Sequence, residues 1–96
     1  MIAEARKRYH DACKRTQDAF KKLGELCQKW TGRGIRESPY DNIALAMALG
    51  AIGVPEARQA LINILSCLIE EAWAARDYIK ELETALKVKS QGSSIS

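Results

Sequence analysis

Four heptads decide the fold: Ile2-Ala-Glu-Ala-Arg-Lys-Arg8, Tyr9-His-Asp-Ala-Cys-Lys-Arg15, Thr16-Gln-Asp-Ala-Phe-Lys-Lys22 and Leu23-Gly-Glu-Leu-Cys-Gln-Lys29, closing on Trp30. Ile2, Tyr9, Thr16, Leu23 and Trp30 recur at position a, and Ala5, Ala12, Ala19 and Leu26 at position d. This is the 3.5-residue period of a helix that winds against a partner. Cys13, Phe20 and Cys27 at position e widen the seam into the stripe that a helical hairpin buries. Alanine at three of the four d positions lets a neighbouring helix approach closely, which favours a tight pair over a long leucine zipper. Gly24 costs about 1 kcal/mol relative to alanine in a helix interior, so it marks either a bend or a close contact.

Thr31-Gly-Arg-Gly-Ile-Arg-Glu-Ser38 ends this helix, with Gly32 suited to a left-handed C-terminal cap and Gly34 keeping the loop from resuming it. Ser38-Pro39-Tyr40-Asp41 reads as a helix start, with Ser38 as N-cap, Pro39 in the first turn and Asp41 at the positive end. The helix that follows runs through Ile43-Ala-Leu-Ala-Met-Ala-Leu49. It is apolar all round and is therefore expected to be buried on more than one side. Gly50 and Gly53 stop it, and Val54-Pro55-Glu56 opens a third helix reaching Lys89. On that helix Leu61, Leu68, Ala75 and Leu82 form one row. Ile64, Leu65, Ala72, Tyr78, Ile79 and Leu86 lie beside it, giving a broad stripe expected to receive helix one antiparallel. Ile62, Ile69 and Trp73 fall on a different face, to be covered by helix two or by another chain.

The expected fold is all-α: an antiparallel hairpin of two long helices with a short apolar helix between them, one domain over 1–89, and a loose polar tail over 90–96. A chain of 96 residues buries a modest fraction of its surface, and the unmatched apolar faces point to a homodimer or higher homo-oligomer with Trp73 at the contact. Folding is supported by 47% hydrophobic residues against 28% charged, which is not the balance of a disordered chain. No apolar run is long enough to span a membrane, and no secretory leader opens the chain, so the cytoplasm is the expected compartment. Three cysteines do not make a disulfide framework. Cys13 and Cys27 stand about 21 Å apart along one helix, beyond bonding reach.

Charge is concentrated at the front. Residues 1–40 hold ten Lys and Arg against five Asp and Glu, and residues 41–96 hold five against seven. Lys7, Arg8, Lys14, Arg15, Lys21, Lys22 and Lys29 form adjacent rows on helix one. Four of them follow an acid by four positions, as Glu4/Arg8, Asp11/Arg15, Asp18/Lys22 and Glu25/Lys29, the spacing that supports a helix. Lys7, Lys14 and Lys21, with Arg33 and Arg36 in the loop, have no such helical purpose and form a candidate site for a nucleotide or nucleic acid.

The chemistry of enzymes is not written here. There is one histidine, no nucleophile motif and no phosphate loop after a strand, and His10 with Cys13 falls two ligands short of a zinc site. A helix-turn-helix over 43–65 would present Ala60, Leu61, Ile62, Ile64 and Leu65 where base-reading donors are needed. The sequence therefore points to a non-enzymatic, cofactor-free binding protein. It is an adaptor, chaperone or inhibitor that meets a protein partner through Ile62, Ile69 and Trp73, or else an anion binder using the basic row. In size and helicity it looks like the small helical proteins with which phages block or sequester parts of host defence systems.

Overall fold

The computed structural model describes the backbone of residues 1–95 and the side chains of residues 1–88. Three helices build the chain, α1 (Ile2–Thr31), α2 (Pro39–Ala51) and α3 (Pro55–Ile95), and no strand occurs among the described residues, so the fold is all-α. Gly32 closes α1 in the left-handed region at φ 72°, its N–H donating to the Gln28 carbonyl. Ser38 caps α2, its hydroxyl accepting from the Asp41 N–H at 3.2 Å, with Pro39 in the first turn. Gly53, at φ 96°, turns the chain into α3. The α3 backbone continues past Lys89 to Ile95. The tail expected over 90–96 lies outside the described side chains.

Helix α1 packs along α3, and the chain directions oppose. The Met1 amino group lies 3.3 Å from Glu81 and Lys29 lies 3.8 Å from Glu56. Between those ends Ala5, Ala12, Thr16, Ala19 and Leu23 of α1 are buried. From α3 the seam takes buried Ala57 and Ile64 and half-buried Ala60, Cys67, Ala74, Tyr78 and Ala85. The Thr16 hydroxyl donates to the Ala12 carbonyl at 3.0 Å and to the Cys67 carbonyl at 3.4 Å, so a polar a position is satisfied by backbone.

This arrangement corrects the α3 stripe read from the sequence. Leu65, Leu68, Ile79, Leu82 and Leu86, all assigned to the contact with α1, are exposed. Ile64 and Tyr78 of that stripe do meet α1, but the helix is rotated so that the rest of the facing row is Ala57, Ala60, Cys67, Ala74 and Ala85. Small residues on both helices allow the axes to close up, and leucines on the same line would hold them apart, so the larger side chains are displaced to the outer edge.

Helix α2 is buried on one side only, contrary to the expectation that it needed cover all round. Asn42, Ala46, Leu49 and Gly50 are buried. There α2 joins Leu23, Cys27, Val54, Ala57 and Ile64 in a single core cluster. Its outward side carries Ala44 and Ala48, which expose little apolar area, together with the large exposed side chains of Tyr40 and Met47. α2 does not reach Ile62, Ile69 or Trp73, which are all exposed.

The result is a rod of 65 × 22 × 17 Å. Its radius of gyration, 18.9 Å, far exceeds the ~12.5 Å of a compact chain this long. The core sits at the α2 end, and most of α3 has a helix on one side only.

Candidate functional site

The surface that stands out is the outward face of α3. Exposed apolar side chains follow one another along it: Leu65 is 59% exposed, Ile69 48%, Trp73 64%, Ile79 54% and Leu86 66%. Single exposed leucines are ordinary, but several large apolar side chains on the outward half of one helix make a candidate docking surface. The sequence places Ile62, Ile69 and Trp73 on this side, and the structure brings them together with the leucines that had been assigned to the α1 contact. The missed signal was the size of the facing residues. With alanines in the α1 seam, the matching face of α3 is largely its small-residue face, and Leu65, Leu68, Ile79, Leu82 and Leu86 are left exposed.

The basic row of α1 is arranged differently from its helical spacing. Only Glu4/Arg8 forms the expected pair within the helix, at 3.9 Å. Arg15 bridges instead to Glu70 at 3.4 Å and Lys29 to Glu56, both on α3. Once α3 lies alongside, its carboxylates compete for these cations, so part of the row ties the two helices together. Such exposed pairs contribute little each. Among the described residues Lys7, Lys14, Lys21 and Arg36 form no ion pair, while Arg33 is engaged by Glu37 at 3.2 Å.

The loop after α1 forms a second concave feature. A cleft of about 400 Å³ is lined by Phe20, Lys21, Ile35, Pro39 and Asn42, among others. Asn42 is buried and donates from Nδ2 to the Gly34 carbonyl at 2.9 Å. Its Oδ1 has no hydrogen-bond partner. The backbone carbonyl of Asn42 accepts from the Cys27 thiol at 3.5 Å, so this residue locks the loop and α2 onto α1. Lys21 and Arg36 border separate clefts and do not converge on one point.

Polar groups in the α1/α3 seam are spent on one another. The Cys13 thiol donates to Glu71 at 3.4 Å, and Arg6 donates to the Tyr78 hydroxyl at 3.2 Å. The Tyr9 hydroxyl is held above its usual pKa by its hydrogen bond with Cys13, by the charges of Cys13 and Glu71, and by partial desolvation. Burial alone pushes the Cys27 thiol up. All three cysteines are free. Among the described residues no three His, Cys, Asp or Glu side chains gather as a metal site, and no helix is long and apolar enough to cross a membrane.

The chain matches no protein-family model, and neither the curated proteins nor the solved structures give a match.

Proposed function

We propose that the protein is a non-enzymatic helical binding protein, an adaptor, chaperone or inhibitor, that works as a homo-oligomer of its hairpin and meets its protein partner on the outward face of α3. The observation that carries this reading is the exposure of Ile62, Ile69 and Trp73 beside a strip of exposed leucines. A tryptophan between isoleucines has the character of an interface centre, because a large rigid ring gains most from desolvation and loses little entropy. The test is capture from a host lysate with the native chain, Trp73→Asp and Lys14→Glu side by side. Proteins held by the native chain are expected to be lost with Trp73→Asp and kept with Lys14→Glu. The same capture by all three would overturn the assignment of the face.

A second reading is favoured by one observation: Lys7, Lys14 and Lys21 recur every seven residues on α1 with no acidic partner among the described residues. Such a row suits an extended polyanion, a nucleic acid or a nucleotide, attracted in a salt-dependent way. Lys14→Glu with Lys21→Glu is expected to abolish oligonucleotide binding at low salt while the helical signal and melting temperature stay as in the native chain. No binding by the native chain at low salt would remove this reading.

A further inference from the structure

We propose that two copies of the chain pair antiparallel along α3, through a second heptad seam that α1 leaves largely uncovered. Leu61, Leu65, Leu68, Ala72, Ala75, Ile79, Leu82 and Leu86 are spaced by alternating steps of four and three residues, the spacing of one line of knobs on a helix meant for another helix. The row is continuous over ~38 Å. In the folded chain Leu65, Leu68, Ile79, Leu82 and Leu86 on this line are exposed. Its required occupant is therefore a helix with a seam of similar length. Within this chain the α1 seam is already used against α3 and α2 has 13 residues, so α3 of a second copy is the element that fits.

The row also fits itself when reversed. With the two-fold axis between residues 73 and 74, Leu61 meets Leu86 of the second copy, Leu65 meets Leu82, Leu68 meets Ile79 and Ala72 meets Ala75. Large layers fall on large layers, and the four alanines meet at the axis, where small side chains allow close approach. Reversal opposes the helix dipoles. It sets Trp73 beside Arg76 of the second copy, twice, in reach of a cation–π contact. Leu86, exposed at one end of the rod, meets half-buried Leu61 at the other.

A strip ~38 Å long and ~12 Å wide on each copy gives about 900 Å² in total, the size of a weak, concentration-dependent pairing. In an antiparallel pair the same edge of each helix lies on the same side, so Ile62, Ile69 and Trp73 of both copies form one two-fold apolar surface, opposite the side carrying both α1 helices. The second copy thus contributes half of the partner-binding surface, and in this the inference rests on the function proposed above.

Sedimentation of the native chain tests the pairing. A particle of twice 10.7 kDa is expected. Leu65→Glu with Ile79→Glu, both exposed in the single chain, is expected to weaken association by roughly 100-fold or more without loss of helical signal. Met47→Glu, on the outward side of α2, leaves the dimer intact. Direction is read by oxidising Leu61→Cys and Leu86→Cys chains, alone and mixed, and sequencing the linked peptides. Antiparallel pairing links residue 61 to residue 86 in the mixture, whereas self-linked 61 or self-linked 86 overturns it. A native chain that remains monomeric at high concentration also overturns the pairing, and if Trp73→Asp still abolishes capture there, the functional reading stands without it. A dimer whose capture ignores Trp73→Asp supports the pairing and removes the functional reading.

Discussion

Replacing Gly34 by alanine is expected to destabilise the chain by about 3 kcal/mol, the upper end for an overpacked core site. The glycine sits where the loop after α1 folds back onto that helix. A Cβ at this position would run into the Gly24 carbonyl oxygen, the Gln28 amide nitrogen and the Cys27 Cβ. None of these is the tip of a flexible side chain, so relief requires the loop to lift from α1. Lifting it would strain the Asn42 to Gly34 hydrogen bond and with it the seat of α2. An ordinary Gly→Ala change gains about 0.4–1 kcal/mol from the unfolded chain, which is too small to offset the clash. At about 4–8 °C per kcal/mol for a chain of this size, the melting temperature should fall by roughly 12–24 °C. A thermal melt indistinguishable from that of the native chain would show that the loop is not held against α1.

Leu23→Ala is expected to cost about 2–5 kcal/mol. Leu23 is fully buried at the one place where all three helices meet, in a cluster with Ala46 and Leu49 of α2 and Ala57 and Ile64 of α3. Several of these neighbours are alanines, which have no side chain to swing into a cavity, so the void should remain largely open and the cost should lie toward the upper part of that range. Total stability for a domain this small is on the order of 5–10 kcal/mol, so the variant should lose a large fraction of it. Denaturant titration checks this by a lower midpoint at an unchanged slope. Met47→Ala, at an exposed position on the outward side of α2, should leave the midpoint nearly where it was.

Much of the local structure was legible because helix punctuation is local chemistry. Gly32, Ser38 and Pro39 stand where the sequence put them, and each acts through its own backbone or the next turn. The burial of Ala5, Ala12 and Ala19 was legible for the same reason, as heptad spacing fixes which residues of α1 share a face. The rotation of α3 was not. Its apolar residues cover more than one face, so periodicity offers several stripes, and the choice between them depends on how closely the α1 seam lets the axes approach. Gly34 read as a turn residue because its neighbours in space, Gly24 and Cys27, are ten and seven positions away in the chain. The α3 acids that take Arg15 and Lys29 were likewise invisible to a rule that considers one helix alone.

For the candidate site the sequence offered Ile62, Ile69 and Trp73, and the structure sets them on exposed surface that α2 does not reach. It missed that Leu65, Ile79 and Leu86 extend the same surface, because a leucine at helical spacing was read as core. The basic row survives as a candidate only in part. Lys7, Lys14, Lys21 and Arg36 form no ion pair among the described residues, whereas Arg33 is taken by Glu37.

Hydroxyl-radical footprinting of the native protein across a concentration series reads whether the row of α3 that α1 leaves open docks a second copy. Leu65, Trp73, Ile79 and Leu86 are exposed in the single chain, as are Tyr40 and Met47 on α2. Leu65, Ile79 and Leu86, which lie on the pairing row, are expected to become protected as concentration rises, while Trp73 on the partner-binding surface and Tyr40 and Met47 on α2 stay reactive throughout. Reactivity at Leu65, Ile79 and Leu86 that stays as high as at Tyr40 and Met47 at every concentration would contradict the pairing.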